Sequence, residues 1–313
     1  MKIAVVGSGI SGLSAAYYLS KNHHVDLFEK EDHFGGHSHT IDLTFGVKKV
    51  SVDIGFIVFN FKTYPNLIKF FNENKIEIEK SDMSFSVSVD NSPFEYCGRG
   101  LNGIFSNRSR SYVQNILSKI SGEHFKNYNV NKIKSKSSGI DLYYGGESEF
   151  FNYDKVVIAT HADEALSIID NPTNEEKEIL SKFSYRENIA YIHTDKTAMP
   201  KNKKAWSSWN SSLKKDEVNK SSITYWLNLL QNLRCNENIF LTLNPYFEID
   251  QSKILKKVKF THPYFDQSAL DHQRELQNLQ NKRNILFCGS YFGYGFHEDG
   301  IKSSIEMLKN LND

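Results

Sequence analysis

Three glycines, Gly7, Gly9 and Gly12, stand in the run GSGISG, between the apolar run Ile3 to Val6 and the stretch LSAAYYLSKN. A carboxylate, Glu29, closes the next apolar run, Val25 to Phe28. Residues of these types at this spacing bind a dinucleotide. Gly7 permits a tight turn out of a strand. Gly9 lets the backbone approach a pyrophosphate, where a Cβ would collide, and Gly12 lets the next helix pack close to the strand. That helix, starting at Ile10 and Ser11, directs free N–H groups and partial positive charge at the phosphates. Glu29 can accept both hydroxyls of an adenosine ribose and would repel a 2′-phosphate, which disfavours NADP. The fingerprint alone does not separate FAD from NAD. The pair His37 and His39 could begin a metal site, but no third ligand is visibly placed, so no metal is expected.

The elements that must position these residues alternate between strand and helix. Ile3 to Val6, Val25 to Phe28, Asp154 to Thr160 and Ile285 to Cys288 are short apolar runs that read as buried parallel strands. Tyr64 to Asn74 and Arg108 to Ile120 read as helices, as do Ser268 to Leu279 and Ile301 to Leu311. Phe85, Val87 and Val89 alternate with polar residues, predicting a half-buried antiparallel strand turned at Asn91-Ser92-Pro93. Gly139 to Tyr144 and Glu149 to Tyr153 read as a hairpin about Gly145-Gly146. Further strands are predicted near 189–194, 222–227 and 239–243, with Trp206, Trp209, Tyr225, Trp226, Tyr246 and Phe247 between and within them as candidates for an apolar pocket. The chain has 313 residues and a formal net charge of +1, which argues against broad nucleic-acid binding. No apolar run is long enough to span a membrane. Three scattered cysteines form no disulfide framework, and no signal peptide is read, so a cytoplasmic location is the expectation.

Beyond Glu29, the segments Gly35-Gly36-His37, VDIGFIVFNFKTYPNL, SDMSFSVS, VVIATHADEAL and FCGSYFGYGFHEDG resemble the flavin amine-oxidase superfamily. Within it the chain is similar to a bacterial branch related to the N-terminal oxidase-like region of plant cyclopropane fatty acid synthases. The resemblance implies FAD as cofactor. It carries cofactor contacts onto Lys30, Gly35, Gly36 and His37 beside the pyrophosphate, with His37 where the family usually has Arg or Lys. It carries them onto Gly55 and Phe56 near the flavin ring, Val130 and Thr160 on the adenine side, and Gly289, Ser290, Glu298, Asp299, Gly300 and Ile301 at the ring end. Ser290 replaces an acid common in the family. Tyr291, Phe292, Tyr294 and Phe296 would form an aromatic wall above the ring. At Asn107-Arg108-Ser109-Arg110 the family's Gly pair and a preceding helical stretch are missing, which implies an internal deletion in the substrate lobe.

The expected fold class is α/β: a Rossmann-like FAD-binding domain of the glutathione-reductase type, with a smaller α+β substrate domain built on an antiparallel sheet. The expected boundaries are 1–60, 108–165 and 281–313 for the first domain, and 61–107 and 166–280 for the second. The expected activity is hydride transfer from a C–H bond of an amine or fatty-acyl lipid to FAD, with no nucleic-acid partner. Two alternatives stay open, a non-catalytic FAD-binding protein and an NAD-dependent dehydrogenase. No general base is assigned; His193 and His297 are candidates by location alone.

Overall fold

A computed structural model describes residues 1–90, 92–98, 104–106, 109–146, 149–215, 217 and 220–311. Asn91 of the expected turn, Arg108 at the expected helix start, and the junction residue Asn107 lie outside them.

The central element is a parallel five-stranded sheet in the order His124–Lys126, His24–Glu29, Lys2–Val6, Lys155–Ile158, Ile285–Phe287. Ile3 to Val6, Val156 to Ile158 and Ile285 to Phe287 are unbroken apolar runs because both faces of the sheet are covered there. Ile3 and Val5 face a core shared with Leu13, Ala16 and Leu19 of the first helix, Ile10–Leu19, and with Ile301 and Met307 of the last α-helix, His297–Met307. Ala4 and Val6 face a second core with Ile133, Ile140, Leu142, Ala162, Ala165 and Leu180. That side carries the antiparallel sheet Val130–Lys136, Gly139–Tyr144, Phe150–Tyr153 and the helices Ala162–Ile168 and Asn174–Leu180. The helix Pro65–Glu73 buries Leu67, Phe70 and Phe71 in the first core.

A mixed seven-stranded sheet forms the other large layer. Its order is Ile254–Tyr264, Ser184–His193, Phe240–Leu243, Ser221–Trp226, Trp209–Leu213, Phe85–Val89, Glu95–Gly98. All neighbours are antiparallel except Trp209–Leu213 against Phe85–Val89, which run parallel. The hairpin Thr40–Phe45 and Lys48–Asp53 lays Ile41, Leu43, Val50 and Val52 on this sheet against Ala190, Ile192, Leu241 and Phe260.

At its outer rows the sheet presents the opposite faces from those its hydrophobic pattern predicts. Ser86 is 0% exposed and Phe85 is 42% exposed, so the polar side of this strand points inward. A buried polar ladder explains it. Ser86 Oγ donates to Asn210 Oδ1 at 2.7 Å, Asn210 Nδ2 donates to the Thr224 carbonyl at 3.1 Å, and the hydroxyls of Thr224 and Thr242 meet at 2.8 Å. Thr242 in turn meets His193 Nε2 at 2.8 Å. Each group is satisfied, so burying this face costs little. Two further expectations are corrected. Ser268 to Leu279 is helical as Gln267–His272 and then tightens to a 3₁₀ helix over Gln273–Leu279. The last α-helix begins at His297, four residues before Ile301, because Asp299 Oδ2 accepts the Phe296 N–H at 2.9 Å and caps its first turn.

Candidate functional site

The loop after Lys2–Val6 turns at Gly7 with φ +97°, and the Gly7 N–H is anchored on the Phe28 carbonyl at 2.8 Å. A Cβ on Gly12 would lie 1.8 Å from the Gly7 carbonyl oxygen, which is why the helix can sit this close only with glycine there. A Cβ on Gly9 would meet nothing within 4 Å; that direction is open. No side chain caps this helix and no acid stands in its first turn, so its leading N–H groups face the opening unpaired. Glu29, at the end of the neighbouring strand, accepts from the Ser8 N–H at 3.0 Å and the Ser8 hydroxyl at 2.5 Å, and from the Glu31 N–H at 3.0 Å. The carboxylate thus fixes the loop as well as facing the opening.

These groups border one cleft of about 850 Å³. Gly7, Gly9, Ile10, Ser11, Glu29, Lys30, Gly36, His37, Gly55, Phe56, Val130, Thr160, Gly289 and Ser290 all line it. Lys30 closes one wall by pairing with Glu164. Gly35 lies behind the lining: its N–H bonds the Ser8 carbonyl and hydroxyl at 3.1 and 3.0 Å, and its φ of +113° requires glycine.

Four expected cofactor residues of the last α-helix do not line the cleft. Glu298 accepts from the Asn66 and Leu67 N–H groups, each at 3.0 Å, and so caps the helix Pro65–Glu73 from a distant part of the chain. Asp299 caps its own helix, Gly300 packs against Ser11 and Ile10, and Ile301 is core. Glu298→Gln should lower the thermal midpoint by an amount corresponding to about 1 kcal/mol while leaving cofactor uptake unchanged; a differential scan beside a flavin titration checks both.

The aromatic wall is only partly present. Phe296, 58% exposed, and Tyr291, buried with its ring against Gly289, line the cleft, whereas Phe292 packs on the second core and Tyr294, 70% exposed, stands away from the lining. Of the two candidate bases, His193 is 0% exposed inside the polar ladder and away from the cleft. His297 lines the cleft, its ring stacked on Phe56 with centroids 3.7 Å apart. The six candidate pocket aromatics pack among themselves and the sheet, as in the Trp206–Trp226 and Trp209–Tyr225 edge contacts, rather than on the cleft.

One wall was not foreseen. The strand Ile254–Tyr264 runs along the cleft with Lys256, Val258, Phe260, Thr261 and His262. Its lysines hide it in the sequence; the alternation of Val258, Phe260 and His262 was the available signal. His262 and His161 stand near His37. Burial first, and then these two neighbouring rings, push His37 down to about 3. Burial, then His37, pushes His297 down to about 3. Both are therefore neutral at pH 7. Among the described residues no cluster of three His, Cys, Asp or Glu side chains is set to hold a metal ion. Among the described residues no helix is long and apolar enough to cross a membrane.

Residues 5–73 match the NAD(P)-binding Rossmann-like domain family. Among solved structures, a fatty acid isomerase from P. acnes that produces CLA superposes with a TM-score of 0.74 at 12% identity, covering 98% of this chain and 97% of that one. Putrescine oxidase bound to putrescine superposes with a TM-score of 0.71 at 12% identity, covering 100% of both chains. Cyclohexylamine oxidase from Brevibacterium oxydans superposes with a TM-score of 0.70 at 11% identity, covering 100% of this chain and 99% of that one. The chain shares their fold. No curated protein matches the sequence. At these identities the likeness establishes the architecture, and the chemistry has to be argued from the cleft.

Proposed function

We propose that this chain is an FAD-dependent oxidoreductase of the flavin amine-oxidase type. The observation that carries the reading is the single cleft of about 850 Å³, which joins the glycine loop and Glu29 to Gly55, Phe56, Gly289, Ser290 and His297. Groups from three distant segments of the chain meet there; in this reading the glycine loop and Glu29 take the adenosine and phosphate end and Gly55, Phe56, Gly289 and His297 the ring end. The volume lies within the range of cofactor pockets. The open direction at Gly9 and the uncapped helix behind it suit a pyrophosphate.

FAD, when bound, supplies a ring that accepts a hydride from a substrate C–H bond. The protein's part is binding and electrostatics. Ile10 and Ser11 offer backbone N–H groups to phosphate oxygens. Glu29 faces the ribose. Phe56 and His297 form a flat, stacked wall at the other end, and Val258 and Phe260 make that end apolar. The substrate class we infer is an amine or a fatty-acyl lipid. The parallel-sheet layer is the dinucleotide-binding part in this reading, and the seven-stranded sheet the substrate side.

The test is the visible spectrum of the purified chain, with the released cofactor identified by mass. About one FAD per chain is the expected result; a colourless protein that fails to take up added FAD overturns the reading. Glu29→Ala should weaken FAD uptake at least tenfold, since it removes the ribose acceptor and frees Ser8; fluorescence quenching of added FAD measures this.

A second reading, flavin binding without turnover, has one observation in its favour. On the outer rows of the seven-stranded sheet Phe94 is 54% and Tyr96 59% exposed, on the face that continues from Trp209 and Phe85. A substrate side open to water controls charge poorly, and it is what loss of a covering segment would leave. Anaerobic bleaching by an amine or a fatty-acyl lipid separates the two readings.

A further inference from the structure

Behind the cleft wall a buried chain of hydroxyls ends on a histidine. Tyr112, on the helix Ser109–Leu117, is 0% exposed, and its hydroxyl donates to Ser38 Oγ. Ser38 is 2% exposed, and its Oγ lies 3.1 Å from His297 Nε2. We propose that Tyr112 and Ser38 are positioning residues that hold His297 as its Nδ1-protonated neutral tautomer, so that the ring end of the cleft presents an N–H donor to the bound flavin. The second half of this proposal rests on the flavin reading above; the first half does not.

The argument is one of hydrogen-bond inventory. A serine hydroxyl has one proton and accepts through its lone pairs. Ser38 accepts from Tyr112, so its own proton needs an acceptor. Among the described residues the one within reach is His297 Nε2. Ser38 therefore donates to Nε2, which must be unprotonated, and a neutral ring then carries its proton on Nδ1. Burial keeps the ring neutral, and the nearby His37 adds to the same effect. Its orientation is fixed by stacking on Phe56, at an interplanar angle of 15°. Nδ1 has no hydrogen-bond partner among the described residues and is not one of the sealed polar atoms of the interior. It is the ring's remaining polar atom, on a residue that lines the cleft.

A fixed N–H donor at that place has a clear use. Negative charge grows on a flavin ring as it is reduced, and a preoriented donor stabilises it more than a mobile one does. A donor held by buried hydroxyls cannot turn to become an acceptor, so this end of the cleft would favour a ligand atom with a lone pair.

The experiment has two arms. In the first, the ¹⁵N-labelled chain without added flavin is studied by long-range ¹⁵N–¹H correlation, and the His297 ring is assigned by its loss in His297→Gln. The expected result is a protonated Nδ1 and an unprotonated Nε2 in the wild type. Ser38→Ala should move the ring to a mixture of tautomers, and Ser38→Thr, which keeps the hydroxyl, should restore the wild-type pattern. A wild-type ring protonated on Nε2, or a Ser38→Ala ring with an unchanged pattern, overturns the proposal. In the second arm, FAD is titrated into the same proteins. Ser38→Ala should weaken its binding about tenfold and Ser38→Thr much less; equal affinity in all three overturns the flavin half. A wild type with the expected tautomer that takes up no FAD overturns the flavin reading instead, with the tautomer arm standing.

Discussion

Gly12→Ala should prevent stable folding, whereas Gly9→Ala should fold normally and take up less of the FAD we propose as cofactor. The two sites are three residues apart and differ in what an added methyl group meets. At Gly12 it meets the Gly7 carbonyl oxygen at 1.8 Å and the Gly7 carbonyl carbon at 2.9 Å. Both are backbone atoms. Gly7 cannot yield, because its N–H is tied to the Phe28 carbonyl and a Cβ on Gly7 would itself lie 2.8 Å from the Ala159 carbonyl. The helix cannot retreat either, since Leu13, Ala16 and Leu19 are locked in the first core, and Ser14 meets Ser304 of the last α-helix at 2.7 Å. Overpacking against fixed backbone costs about 3 kcal/mol or more, a large part of the stability of an ordinary domain. At Gly9 the methyl group meets nothing within 4 Å and costs the free protein little. It does occupy the space through which a pyrophosphate would approach the helix N-terminus. Thermal midpoints and FAD titration of the two variants give the comparison. A Gly9→Ala protein that binds FAD as tightly as the wild type would place the phosphates elsewhere.

Stability should hold above pH 7 and fall steeply from pH 6.5 towards pH 4. The cause is a set of histidines that the fold keeps neutral. Burial takes His193 and His39 down to about 4, and His37 and His297 down to about 3. In the unfolded chain each titrates near its ordinary 6.5. As the pH falls through 6.5 the unfolded chain takes up protons that the folded chain refuses, so unfolding gains free energy at each such site. The loss grows until the pH reaches the folded values. His193 alone, at about 4, withdraws about 3 kcal/mol by pH 4. It sits between Thr242 and the Asp195 N–H with no room for a second proton to find an acceptor. Urea midpoints from pH 8 to pH 4.5 would display the fall. His193→Gln should be less stable than the wild type at pH 7.5 but lose less on acidification; a parallel loss in both proteins would remove His193 from the account.

The dinucleotide half of the fold is legible in the sequence because its signals are local. Strand, glycine turn, helix, strand and acid follow within the first thirty residues, and each has one physical reason to be there. The same holds for Val156 to Ile158 and Ile285 to Phe287, whose unbroken apolar character follows from burial on both faces. The long strand Ile254–Tyr264 is not legible, because it lies at a sheet edge where lysines are tolerated and even useful. Nor is the inversion of Phe85–Val89 legible. Ser86 is inward because Asn210, far away in the chain, supplies its partner and is itself tied to the Thr224 carbonyl. Glu298 is the clearest instance at the site. Its place in the sequence suggests a cofactor contact, but its partners, Asn66 and Leu67, are known only once helix Pro65–Glu73 has been packed against the C-terminal helix.

The order of strands in the parallel sheet has a consequence for the chain as it is made. Lys2–Val6, the first strand synthesised, lies in the middle, and its partner Lys155–Ile158 is separated from it by about half the chain. The edge strand Ile285–Phe287 and the helix that closes the core over Leu13 and Ala16 come last of all. Such distant pairings form slowly, and they leave an incomplete apolar core exposed until the end. A ribosome that stalls before residue 285 would therefore release a chain that has its glycine loop but lacks Gly289, Ser290 and His297 from the lining of the cleft. Such a chain would depend on a chaperone, because its central strand and first helix would have only part of the core that buries them.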